Sequence, residues 1–390
     1  MVDPILGDCS LAKLRARTSH KWRTYPPDVL PAFVAEMDFD PAEEIKDAIR
    51  AAVAAGDLGY PDKGDLGEAF AYFAADRLGW SPDPDMVFAI PDVMSGITEV
   101  MQALVRPGGG IVINPPVYSP FFFRTQLAGR RIVEAPLAVA SDGSYDLDLD
   151  ALDHALRLPG TGAYLLCNPH NPVGRVWTYE QLIAIAELTD RRGVPLLVDE
   201  IHAPLVLPGA RHVPFHTIDH PAARGAIVFT SASKGWNIPG LKCGIAVAGD
   251  GEGAAILTQR WDALLASHLG VHASIAALRS AWSWLDAAVA QIDDNARLLA
   301  VLLAEQLPAV RYQRPQASFL AWLDCRDLGL GHDPAATFLT AGRVALSPGR
   351  DFGVQGNGFA RLNIGTSPEL ITEAVRRMAA AVAGHRAAQS

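Results

Sequence analysis

Ser231-Ala232-Ser233-Lys234-Gly235-Trp236-Asn237-Ile238-Pro239-Gly240-Leu241-Lys242-Cys243-Gly244 is the stretch on which the reading of this chain turns. It follows an apolar run, Ala226 to Phe229, of the kind that forms a buried strand. Two small hydroxyl residues flank a single lysine, and glycines open and close the segment around it. A lysine amine can join an aldehyde as an imine. Ser231 and Ser233 can donate hydrogen bonds to a phosphate, and glycine lets the backbone approach a ligand closely. These are the needs of a site that holds pyridoxal 5'-phosphate (PLP) as a Schiff base. Alone, a lysine after a strand is more often an ordinary loop residue, so the rest of the chain has to decide.

Outward from that stretch, short apolar strands alternate with helical segments. The strands are expected at residues 86–90, 110–114, 131–135, 163–167, 196–198, 226–230 and 244–248. Helices are expected at 95–105, 149–155, 178–191 and 256–269. Earlier, Pro41 suits the first position of a helix through Ala55, and 65–78 has helical apolar spacing. The alternation predicts a mostly parallel sheet of seven strands covered on both faces, an α/β architecture. In such sheets the ligand sits beyond the carboxyl ends of the strands. Residues 281–307 read as one long helix. After it the pattern changes to strands near 311, 318–323 and 360–364, a helix near Ala335 and a last helix from Pro368, which describes a smaller α+β domain. The expected division is 1–40 as an irregular N-terminal segment joined to the small domain, 41–280 as the large domain and 281–390 as the small one.

The candidate motifs lie where strands end. Asn168-Pro169-His170-Asn171-Pro172-Val173-Gly174 is a forced turn in which Asn171 can meet a phenolic oxygen. Val198-Asp199-Glu200-Ile201-His202 ends the next strand; Asp199 can pair with a pyridine nitrogen and keep it protonated, and His202 can reach the phenolate. Tyr118, after Asn114-Pro115-Pro116-Val117, can stack on a pyridine ring. Asp92-Val93-Met94-Ser95-Gly96 meets a helix start, whose N–H groups suit a phosphate. Arg361, in Arg361-Leu362-Asn363-Ile364-Gly365, can clamp a carboxylate with both arms of its guanidinium. Each of these has a bland reading: a turn asparagine, a helix cap, a packed tyrosine, a water-capped helix start, a surface arginine. Their company favours the chemical one.

Composition removes other classes. The chain has 390 residues, 49% hydrophobic and 19% charged, which is the balance of a globular enzyme. A formal net charge of -10 and the lack of any basic run argue against nucleic acid as the main partner. No stretch approaches the ~18 apolar residues of a membrane span, and Met1 to Ser10 lacks the pattern of a signal peptide. Four scattered cysteines suit reduced thiols in a cytoplasmic protein. His202, His212, His216 and His220 do not make a zinc pattern, because Pro214 breaks any helix that would align the last three; a solvated loop is expected there and no metal.

The ordered set resembles the fold-type I PLP enzymes, the aspartate aminotransferase superfamily. Within it, Val34-Ala35-Glu36-Met37-Asp38-Phe39, Gly59-Tyr60-Pro61, Asp199-Glu200-Ile201-His202-Ala203-Pro204-Leu205-Val206 and Ala321-Trp322-Leu323-Asp324 resemble the carbon–sulfur β-lyases of the cystathionine β-lyase, MalY and PatB type. The resemblance implies Lys234 as Schiff-base lysine and Cα base, Asp199 at the pyridine nitrogen, Asn171 and His202 at the phenolate, and Tyr118 on the ring. It implies Val93, Met94, Ser231, Ser233 and Lys242 at the phosphate, and Arg361 with Ala35 and Tyr118 at the substrate. Tyr60 matches a tyrosine that reaches the phosphate of the neighbouring subunit, which implies a homodimer. Glu36 stands where aspartate is frequent, and Lys242 where aminotransferases carry an arginine. The implied reaction is α,β-elimination from L-cystathionine or another S-substituted cysteine to pyruvate, ammonia and a thiol. That thiol would be homocysteine from cystathionine, which leaves methionine synthesis, sulfur salvage and a specialised pathway all open. An aminotransferase, or a regulatory protein on the same fold, is the rival reading.

Overall fold

The computed structural model describes residues 2–260 and 265–387. Seven strands form the large sheet: β1 Val87–Ile90, β2 Gly110–Ile113, β3 Arg131–Glu134, β4 Thr161–Cys167, β5 Leu196–Asp199, β6 Ile227–Thr230 and β7 Gly244–Ala248. Their spatial order is β1-β7-β6-β5-β4-β2-β3. All neighbours are parallel except β7, which runs antiparallel to both β1 and β6. The central strands are buried along their whole length, as helices on both faces require.

The covering helices include α1 Glu43–Ala55, α2 Leu66–Arg77, α3 Val93–Leu104, α4 Pro120–Leu127, α5 Leu149–Arg157 and α6 Tyr179–Arg192. Local chemistry sets their ends. At α6 the Thr178 hydroxyl accepts from Gln181 N–H while the Gln181 side chain accepts from Thr178 N–H, and Gly193 closes the helix at φ 61. Gly96 brings α3 against the sheet: a Cβ there would stand 2.5 Å from Ile90 Cδ1, so any side chain would force α3 away.

The helix expected at 256–269 is not continuous. One helix, α7, spans Gly251–Gln259 and another, α8, starts at His268, where the Ser267 hydroxyl accepts from Gly270 N–H. Part of that expectation, residues 261–264, lies outside the described residues. Pro41 does not open a helix either, since Ala42 is the N-cap and Glu43 the first helical residue.

The long helix α9, Trp282–Gln306, leads to a four-stranded antiparallel sheet: β8 Arg311–Tyr312, β9 Leu320–Asp324, β10 Ser347–Pro348 and β11 Phe359–Asn363, in the order β8-β9-β11-β10. Helices α10 Pro334–Thr340 and α11 Pro368–Ala387 pack beside it. The N-terminal segment is less irregular than its sequence suggests, with short helices at Leu11–Arg15 and His20–Arg23. Leu30–Pro31 pairs in parallel with Val344–Ala345. Among the described residues no helix is long and apolar enough to cross a membrane.

Candidate active site

A cavity of about 410 Å³ opens at the carboxyl ends of β5 and β6. Its lining contains Ala35, Val93, Met94, Tyr118, Asn171, Asp199, His202, Ser231, Ser233, Lys234 and Lys242, drawn from segments far apart in the chain. Arg361 stands directly behind it: its Nη1 donates to Asn171 Oδ1 at 3.1 Å. Tyr60 is elsewhere, 93% exposed and outside the lining.

Lys234 lies in the short helix Ala232–Gly235 immediately after β6. Its Nζ donates to the Ala35 carbonyl at 2.7 Å. Burial, reinforced by the nearby Arg361 charge, lowers the amine to about 8. Asp199 ends β5 and accepts from Ile201 N–H at 3.1 Å. Burial raises its carboxyl to about 7, with Glu200 adding to the rise and Lys234 opposing it. A buried carboxylate with so little compensation is costly unless a cation faces it. His202 is pushed down to about 3, by burial first and then by the Lys234 and Arg361 charges, so its ring is neutral. Its Nδ1 is buried with no partner.

At the other end of the cavity, Asp92 caps α3 by accepting from Ser95 N–H at 2.8 Å and pairs with Lys242. Val93 and Met94, the first two residues of α3, present that helix start to the cavity. Gly244 makes the approach possible, since a Cβ there would meet Val93 N at 3.2 Å. Ser231 donates its hydroxyl to the Cys243 carbonyl at 2.7 Å and so helps shape the turn, whereas Ser233 Oγ lines the cavity uncommitted.

Arg361, on β11, is buried. Its Nη2 donates to Phe33 O at 3.1 Å and Ser347 Oγ at 3.2 Å, and its guanidinium lies 4.7 Å from the Phe352 ring centre. Its Nε has no acceptor. A buried unpaired guanidinium N–H is a vacancy suited to an anion.

The segment Val34–Phe39 is pinned from two sides. Asn363 Nδ2 donates to the carbonyls of Val34 and Glu36, both at 2.7 Å. Asn237, three residues past Lys234, accepts from Met37 N–H and donates to the carbonyls of Met37 and Phe39. This is why Ala35 O lies over Lys234.

The four histidines of 202–220 do not behave as a solvated loop. His212 is buried with Nε2 at 3.3 Å from Glu200 Oε2, and His216 Nε2 meets the Ala226 carbonyl at 3.0 Å. Sequence reasoning also passed over Phe123 and Arg124, which line the cavity from α4. The Arg124 side chain has no hydrogen bond or ion pair among the described residues, and nothing in its local sequence marks it.

PLP needs an amine, an anion facing its ring nitrogen, donors for its phenolate and an anion cradle. Lys234, Asp199, the orphaned His202 Nδ1 with Asn171, and the α3 start with Ser233 supply that donor set within one cavity. The comparisons with known proteins agree. Residues 34–378 match the aminotransferase class I and II family. A Mycobacterium leprae protein named provisionally as a cystathionine beta-lyase is 44% identical, over 98% of this chain and 99% of its own. Cystathionine beta-lyase PatB of Bacillus subtilis is 34% identical over 91% of this chain and 93% of its own. The crystal structure of cystalysin from Treponema denticola, which contains PLP, has a TM-score of 0.92 at 26% identity, covering 99% of this chain and 100% of that one. The chain belongs to the class I and II aminotransferase family, and pyridoxal 5'-phosphate is its cofactor.

Proposed function

We propose that this enzyme is a carbon–sulfur β-lyase that cleaves L-cystathionine or a related S-substituted cysteine to pyruvate, ammonia and a thiol. The observation that carries the reading is the meeting of Lys234, Asp199 and Asn171 in one cavity, with Arg361 behind it. The names borne by the relatives above support the choice of sulfur substrate.

When bound, PLP supplies an electron sink for a carbanion at Cα. Asp199 stays ionised opposite the cationic ring nitrogen, which offsets the burial that otherwise raises its carboxyl. Asn171 and His202 donate toward the phenolate oxygen. Ser233, Val93 and Met94 hold the phosphate, with Lys242 contributing charge. Arg361 offers Nε–H to the substrate α-carboxylate while its contacts with Asn171, Phe33 O and Ser347 fix its plane. Lys234 takes the Cα proton on Nζ, and Ala35 O receives one of its N–H groups. In the ligand-free protein burial already lowers this amine to about 8, so part of it is neutral near neutral pH. The carbon–sulfur bond breaks toward sulfur, which departs as a thiol. The remaining three-carbon unit takes up one water and leaves as pyruvate and ammonia.

L-Cystathionine carries a second carboxylate on the sulfur side. The uncommitted Arg124 at the cavity wall suits that group and favours cystathionine over S-alkyl cysteines. We also propose, from the family resemblance, that Tyr60 reaches the phosphate of a neighbouring subunit in a homodimer; its exposure leaves it free to do so. The test is incubation with L-cystathionine and no 2-oxo acid. Pyruvate and homocysteine in equal amounts are expected, and turnover that starts only when an acceptor is added would make the enzyme a transaminase instead.

A further inference from the structure

We propose that Asp57, His268 and His272 form a divalent-metal site of the zinc type, outside the PLP cavity. His268 and His272 are four residues apart on α8 and so share a face. Asp57 follows α1, where Gly56 at φ 69 turns the chain and Asp57 N–H bonds back to Ala52 O at 3.0 Å. His268 Nε2 lies 3.1 Å from Asp57 Oδ1, His272 Nε2 lies 3.5 Å from Asp57 Oδ2, and the two Nε2 atoms are 3.3 Å apart.

Each imidazole faces a different oxygen of the Asp57 carboxylate, and all three separations are close to those between neighbouring ligand atoms of a tetrahedral ion. Bonds of ~2.0–2.1 Å to a tetrahedral ion place its ligands about 3.3 Å from each other. A plain ion pair is the competing account, and it satisfies less. Two neutral rings that each point Nε2–H at its own Asp57 oxygen satisfy the carboxylate but set two N–H groups only 3.3 Å apart, and two protonated rings at this separation repel. A cation between the rings and the carboxylate serves all three side chains at once. Two imidazoles and one carboxylate, with water in the fourth position, suit zinc. His268 Nδ1 is buried without an acceptor. Its ring therefore lacks the outer hydrogen bond that strengthens tightly held metals, which makes this an exchangeable ion.

The ion would clip the loop that carries Tyr60 to α8, whose cap Ser267 donates its N–H to Lys242 O at 2.9 Å. The expectation of no metal considered histidines adjacent in sequence, whereas this cluster forms only when α1 meets α8.

The experiment is zinc titration of untagged, chelator-treated holoenzyme by calorimetry, with melting curves in parallel, on wild type, Asp57→Asn and His272→Gln. One zinc per chain with a rise in Tm is expected for wild type. Each variant should bind at least about tenfold more weakly and lose the rise in Tm. A wild type that takes up no zinc, or variants that bind as tightly as wild type, would overturn the assignment.

Discussion

Lys234 shows how burial prepares one residue. In the ligand-free protein its amine is lowered to about 8 by burial and the Arg361 charge, below the ordinary lysine range. Below that pH it is an ammonium and cannot attack an aldehyde. The rate of PLP uptake should therefore rise about tenfold per pH unit up to pH 7, then level off above about pH 9. Growth of cofactor absorbance after mixing reads this out. A rate still climbing steeply at pH 10 would mean an unperturbed lysine. Arg124 makes the second residue-scale prediction. Replacing it by glutamine should lower kcat/KM for L-cystathionine by about 1.5–3 kcal/mol of transition-state binding, the range for a hydrogen bond to a charged group. Turnover of S-ethylcysteine, which has no distal carboxylate, should hardly change. Equal losses on both substrates would give Arg124 a different task. Lys234 and Asp199 were legible because each combines an unusual residue type with a strand end. Arg124 was not, because its meaning lies in having no partner, and that is visible only when the cavity is assembled.

At the scale of elements, the main support for Lys234 is a strip of irregular backbone. Val34–Phe39 has no strand partner of its own. Its carbonyls are served by Asn363 on one side and Asn237 on the other, the latter held at φ 56, where asparagine is tolerated better than most residues. Asn363→Ala removes one of two donors from each of the Val34 and Glu36 carbonyls, leaving the first with Glu36 N–H and the second with Lys21 Nζ. We expect a loss of about 1–3 kcal/mol in denaturant melts, together with weaker PLP retention as Ala35 O drifts from Lys234. Unchanged melting and retention would show that the two contacts are incidental. The seven strands of the large sheet were readable because each centres on a short apolar run, and β1, β2, β4 and β7 are closed directly by proline, asparagine or glycine. The break between α7 and α8 was not, because apolar spacing continues across it and only the Ser267 cap signals the restart. The Asn363 and Asn237 contacts span most of the chain, so no local pattern could announce them, although the motif they pin was recognisable as a resemblance.

At the scale of the whole molecule, the cavity draws on three bodies of chain: the ends of the large sheet, β11 of the small sheet and the N-terminal strip between them. In the proposed homodimer a fourth contribution comes from a second chain. Tyr60 is 93% exposed and Leu58 beside it 59%, a costly pair to leave in water on a loop that carries one of the resembling motifs. If Tyr60 completes the phosphate site of a second copy, its loss and the loss of Lys234 must be separable between subunits. Tyr60→Ala and Lys234→Ala enzymes should each be weakly active or inactive alone. Unfolded together and refolded as a mixture, they form hybrid dimers in which the subunit keeping Lys234 borrows Tyr60 from its partner. Activity should then return to a fraction of wild type. If Tyr60 acts within its own chain, every site that keeps Lys234 lacks Tyr60, and mixing restores nothing.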